Sequence, residues 1–252
     1  MRLFRLVCLP AALLAAGCFE GQRTIKVNAD GSGTIVDTVK LGAQAIEMRK
    51  SMEGMDKTPP AEKKAQEKAK FAEKATAMGP GVTFVSSAPS KDGGEVMTYA
   101  FKDVTKLTIS PVPDPDANTS SKGAGLTFKL AKNAAGNSVL TVVTPKETPP
   151  AGGAKPPAKK PEEVQQEITM MKGMLAGLKV KSVLQVGGTV VKSSAPNTGS
   201  EITLMAIDFD QLDAAALQKL ATSAGDGPPS AAQVKGIKGI TMSDPEVTVE
   251  FK

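Results

Sequence analysis

The chain contains no histidine and no tryptophan, and only one tyrosine and two cysteines among 252 residues. Each scarcity removes a class of chemistry. Without histidine there is no Ser-His-Asp triad or Cys-His pair, and no imidazole to ligate zinc or haem. Two cysteines build neither a disulfide framework nor an iron–sulfur site. So few aromatics leave little surface on which bases can stack, and 31 Lys+Arg against 26 Asp+Glu is a weak positive balance, so no nucleic-acid partner is expected.

What is present starts with an address. In MRLFRLVCLPAALLAAGC, Arg2 and Arg5 form a positive head, Leu6 to Ala16 an apolar run, and Ala15-Ala16-Gly17 a group of small residues. The run is about half the roughly 20 residues that a spanning helix needs, so it reads as a signal peptide over residues 1–17 and not as a membrane span. Cys18 follows directly. These residues resemble a bacterial lipobox, with Ala15 where the pattern usually has Leu, and Leu14 one position earlier. The resemblance implies a diacylglyceryl thioether on Cys18, cleavage between Gly17 and Cys18, and acylation of the new terminus by a palmitate-type chain. Two or more chains hold a protein stably, at about 0.8 kcal/mol per buried methylene. Phe19 and not Asp follows Cys18, which by resemblance to Gram-negative sorting favours the periplasmic face of the outer membrane. Cleavage removes Arg2, Arg5, Cys8 and no acidic residue.

The mature chain reads as hairpins and separate helical blocks. TIKVN and GTIVDTVKL flank an Asp30-Gly31 turn; VTFVSSA and EVMTYAF flank Gly93-Gly94. Between them, AQAIEMRKSME and AEKKAQEKAKFAEKATAM read as helices divided at Pro59-Pro60 and stopped by Gly79-Pro80-Gly81. A short strand is expected near Leu107 and Ile109. Leu126, Phe128 and Leu130 alternate with polar residues, and SVLTVVT completes a third hairpin. Residues 145–161, PKETPPAGGAKPPAKKP, carry no apolar content to offset ordering and read as a disordered linker or loop. Val164, Ile168, Met171, Leu175 and Leu178 place one apolar stripe on a helix over 162–178. Strands follow at KVKSVLQV, TVVKSSA and SEITLMAIDF, the last central because it is apolar on both faces. Asp210 is expected to cap a helix reaching Ala221. PEVTVEFK reads as a returning edge strand.

This pattern predicts an α+β fold: antiparallel hairpins forming a sheet, packed by a few amphipathic helices, with a disordered Pro/Lys-rich insertion. Residues 18–144 and 162–252 would be two α+β parts completing one composite domain. The lipidated Cys, the NADGSG turn, the FKDV segment from Phe101 to Val104 and KVKSVLQVGGTVVKSSAP, read as a strand pair, resemble uncharacterised bacterial envelope lipoproteins of LppM type. The resemblance implies an envelope location and no particular activity.

Several groupings bear on chemistry. Gly31 and Gly33 lack the third glycine and the following helix of a dinucleotide loop, so a turn is expected. Asp114, Asp116 and Asn118 open like a calcium loop, but Thr119 and Gly125 stand where that loop needs Gly and Glu. Asp208, Asp210 and Asp213 cluster where a carboxylate pair could serve a hydrolase, or cap a helix. Lys63, Lys64, Lys68, Lys70 and Lys74 alternate with Glu62, Glu67 and Glu73 as on a solvated helix. Met170, Met171 and Met174 suit an adaptable apolar groove or ordinary core, and Gly173 with Gly177 suits close packing. No nucleophile elbow or P-loop occurs. The sequence therefore reads as a non-enzymatic binding or scaffolding lipoprotein, with no catalytic residues, metal or cofactor. Its expected partners are the membrane, through the anchor, and an envelope protein, glycan or lipid. The alternatives are a carrier of apolar ligands, with a pocket under helix 162–178, and more remotely a hydrolase.

Overall fold

A computed structural model describes residues 19–55, 57–90, 93–113, 125–144, 166, 168–170, 172–173, 175–195, 199, 201–223 and 231–252. The first hairpin pairs β1 (Phe19–Val27) with β2 (Gly33–Leu41), and Gly31 takes the positive φ of 85° that its Asp-Gly turn requires. Helices α1 (Ala43–Met55) and α2 (Pro60–Ala77) follow, the second started by its prolines, whose fixed φ suits a first helical turn. The second hairpin is β3 (Thr83–Pro89) with β4 (Glu95–Phe101), and β5 (Thr108–Ile109) pairs with β6 (Leu126–Lys132), which pairs in turn with β7 (Ser138–Val143).

Helical backbone occurs at 166, 168–170, 172, 173 and 175, within the span expected to be a helix. After it come β8 (Lys179–Val186), β9 (Val190–Ser193), β10 (Glu201–Asp208), α3 (Ala214–Ser223), α4 (Ala231–Val234), β11 (Ile240–Met242) and β12 (Glu246–Phe251). The insertion at 145–161 lies outside the described residues, as do Asp114, Asp116, Asn118, Met171 and Met174.

The strands form two sheets where one was expected. Their orders are β11-β10-β8-β1-β2-β4-β3 and β5-β6-β7-β12-β9. Among the described residues all pairings are antiparallel except β1 with β8, a parallel pair whose strands are joined through a long crossover. Alternation decides which face is buried: Ile25, Val27, Ile35, Val39, Met97, Tyr99 and Phe101 of the larger sheet share one core with Leu126, Phe128, Leu140, Val142, Val247, Val249 and Phe251 of the smaller. Burying each such side chain contributes about 1.5–3 kcal/mol relative to exposure.

Two strand readings are corrected. KVKSVLQV and TVVKSSA do not pair; the chain crosses between sheets at Gly187-Gly188, and a Cβ on Gly188 would come within 2.3 Å of the Lys252 carbonyl oxygen. The last strand is no edge, since β12 pairs with β7 on one side and β9 on the other. Its alternating Val247, Val249 and Phe251 are all buried, which suits an interior strand with one face on the core. β10 does lie inside its sheet, between β8 and β11, as its two apolar faces suggested.

Candidate functional site

Two places in the fold concentrate charge, and sequence patterning pointed to only one. Asp208, Asp210 and Asp213 do fall together at the end of β10, but each is engaged in shaping the backbone. Asp208 accepts hydrogen bonds from the Asp210 amide (3.1 Å) and the Gln211 side chain (2.9 Å). Its slight burial raises its pKa, yet the Gln211 hydrogen bond and the Lys179 ammonium prevail and hold it below the ordinary carboxylate value. Asp210 accepts from the Gly177 amide at 2.7 Å. Gly177, at φ 75°, makes the left-handed turn that ends the preceding helical stretch. Lys179 Nζ lies 3.6 Å from Asp208 and 3.7 Å from Asp210.

The helix cap is Asp213, not Asp210: its Oδ1 accepts from the Ala216 amide at 2.7 Å. The expectation failed by one turn because a 3-10 turn over Phe209–Gln211 separates β10 from α3. A general acid needs a carboxyl whose pKa is raised; Asp208 is shifted the other way.

The second place was missed. Arg23 and Asp37 face one another across β1 and β2 on the buried side. Arg23 donates to both carboxylate oxygens of Asp37 at 2.7 Å, and Lys74 of α2 approaches Asp37 Oδ2 at 3.6 Å. A further Arg23 donor reaches the Ser110 carbonyl oxygen. Arg23 is 2% exposed and Asp37 is fully buried. On the other side of Arg23, Ser182 of β8 stands in register, its hydroxyl buried without a hydrogen-bond partner. Lys74 belongs to the lysines of α2 that read as a solvated face, but the helix lies on the sheet through Ala75 and the stack of Phe71 on Phe84 (4.9 Å). The signal was available: Arg23 and Asp37 occupy inward positions in the alternation of their strands. Period-2 patterning scored on apolar residues alone passes over them.

This polar group is buried, and its geometry is that of a structural tie. The neighbouring Tyr99, the only tyrosine, has its pKa raised first by burial and then by the Asp37 charge. A surface depression of about 250 Å³ at the far end of the hairpin, lined by Lys26, Asn28, Ser32, Gly33, Thr34 and Phe101, falls below the roughly 300–1,000 Å³ of typical ligand pockets. The NADGSG segment is a tight turn there, with Asp30 accepting from Ser32.

At the helical stretch where an apolar pocket is expected, Ile168 packs with Leu212, Ala216 and Leu217. Met170 is exposed, and a Cβ on Gly173 would meet open space. Among the described residues no three His, Cys, Asp or Glu are grouped to hold a metal ion, and no helix is long and apolar enough to cross a membrane. Gly17 and Cys18 lie outside the described residues; the described chain opens at Phe19, which is already in β1.

No family model matches this chain, and no curated protein matches it. Among solved structures, it is similar to the NMR structure of the folded domain of the LppM protein of Mycobacterium tuberculosis. Sequence identity is 11% and the TM-score 0.29, over 94% of this chain and 91% of that one. At that TM-score the likeness carries no argument.

Proposed function

We propose that this chain is a bacterial envelope lipoprotein, acylated on Cys18, whose α+β domain binds or scaffolds a partner and catalyses no reaction. The observation that carries the reading is the lipobox-like run ending at Cys18, followed directly by Phe19, which is paired into the larger sheet opposite Leu41. A mature chain cut before Cys18 keeps every residue of β1, whereas a cut within the strand would remove main-chain partners of β2 and β8. The non-catalytic reading is supported by the work found for the carboxylates: Asp208, Asp210 and Asp213 close turns, and Asp37 is consumed by Arg23 and Lys74.

Intact-mass measurement of the protein extracted from bacterial membranes tests the anchor. The expected product begins at Cys18 and carries the mass of a diacylglyceryl group with an added acyl chain. An unmodified Cys18 sulfur, or a retained leader, refutes the assignment. Envelope crosslinking followed by purification tests the binding role, with one protein or glycan recovered repeatedly as the expected result.

A further inference from the structure

The spacing between Cys18 and the fold has a geometric consequence. No residue separates Cys18 from Phe19, the first residue of β1. Consecutive Cα atoms are about 3.8 Å apart, so acyl chains on Cys18 would bring the start of β1 to the level of the lipid headgroups. β1 cannot drift away on a leash, because it is paired on both sides: Phe19 stands opposite Leu41 of β2, and Glu20 opposite Lys179 of β8.

That end of the sheet carries α1. Leu41, the neighbour of Phe19, is followed by Gly42 and then by Ala43, the first residue of the helix. The helix is fixed against the turn joining β3 to β4, which lies at the same end because Glu95 is paired with Val39. Arg49 donates to the Gly93 carbonyl oxygen at 3.2 Å, and Gly93 lies so close to Ile46 that an added Cβ would come within 2.4 Å of its terminal methyl. Thus Ile46 marks the side of α1 that faces the protein.

At 3.6 residues per turn, Met55, nine positions on, lies about half a turn round from Ile46, and Met52, three before it, shares the outer side. Both are exposed, Met52 by 57% and Met55 by 78%, and they account for two of the five large apolar side chains left exposed among the described residues. Flexible apolar side chains on the outer face of a helix suit the boundary between headgroups and acyl chains.

We propose that the end of the larger sheet formed by Phe19 and α1 is a phospholipid-docking surface, with Met52 and Met55 seated in the headgroup layer of the anchoring membrane. The inference rests on the acylation of Cys18 proposed above. It adds a definite orientation: β1 stands away from the bilayer, and its turn at Asn28–Ser32 points outward, about 30 Å off at roughly 3.4 Å per strand residue.

The test uses the full acylated protein, in which Cys18 is capped and an introduced thiol is unique once the leader bearing Cys8 is removed. Variants Met52→Cys, Met55→Cys and Ala29→Cys each receive a fluorophore and are reconstituted in phosphatidylethanolamine–phosphatidylglycerol vesicles. Intact mass is recorded for each, and a water-soluble quencher is added. The expected result is a loss of quenching at 52 and 55 on vesicle binding, relative to detergent solution, with none at 29. Acylated protein whose label is equally quenched at all three positions overturns the docking surface and leaves the anchor standing. A product without acyl mass removes the anchor, and the docking surface with it.

Discussion

Arg23 and Asp37 stand opposite each other on neighbouring strands, and the guanidinium meets both carboxylate oxygens at 2.7 Å inside the shared core of the two sheets. Breaking a buried pair by removing one partner leaves the other charge uncompensated, which costs about 3–5 kcal/mol. Asp37→Ala, which strands both Arg23 and Lys74, is expected to destabilise the protein by that amount in urea unfolding. A loss below about 1 kcal/mol, the scale of an exposed pair, refutes the tie.

Ser182 is the reverse case. Its hydroxyl is buried with no hydrogen-bond partner, and an unsatisfied buried group costs about 1–3 kcal/mol. Ser182→Ala removes that group at little loss of volume. The midpoint of chemical unfolding should stay level or rise; a marked fall would mean that the hydroxyl is bonded in solution.

Tyr99 offers an optical probe, because no other tyrosine and no tryptophan absorbs beside it. Burial, then the Asp37 charge, holds its pKa above the ordinary 10.0 in the folded state. The folded chain therefore keeps the proton that the unfolded chain releases. The stability this contributes is fully present below pH 10.0 and declines as pH rises beyond it. Tyrosinate absorbance should stay absent past pH 10.0 and then appear in one step with loss of the circular-dichroism signal. Ionisation at the ordinary value with the fold intact contradicts the burial.

Glu250 works in the opposite sense at acid pH. Hydrogen bonds from the side chains of Asn137 and Asn133, each 2.7 Å long, hold its carboxyl below the ordinary 4.5. Its contribution is present above pH 4.5 and fades as pH falls through the lowered folded value. Carbon-detected NMR titration should place Glu250 below 4.5, and in Asn133→Ala/Asn137→Ala it should move back up towards that value.

The helix caps separate two aspartates that look alike in sequence. Asp213→Ala removes the bond to the Ala216 amide and should cost about 1 kcal/mol of stability. Asp210→Ala frees the Gly177 amide and leaves the first turn of α3 bonded, so exchange protection should fall at Gly177 and persist at Ala216. Equal loss of protection at Ala216 in both variants would restore Asp210 as the cap.

Local rules carried much of the fold. The three hairpins at 19–41, 83–101 and 126–143 follow from alternation and from turns whose glycines accept positive φ, and the two helices between the first hairpins follow from Pro60 and Gly79. Those are properties of residues a few positions apart. Alternation also marked inward positions, yet an apolar scale could not value Arg23 or Asp37, because a buried charge makes sense only beside its partner.

What the sequence alone determined was the inventory: which chemistries are absent, where strands and helices lie, and the lipobox-like run before Phe19. The tertiary structure decided everything that depends on residues distant in the chain: a parallel pairing of β1 with β8, a second sheet with β12 in its interior, and Lys74 turned inward to Asp37. The physical reason is range. Turn preference and periodicity act over a few residues, whereas the charge balance in the core and the choice of strand neighbours are settled only when segments far apart in sequence exclude water from one another.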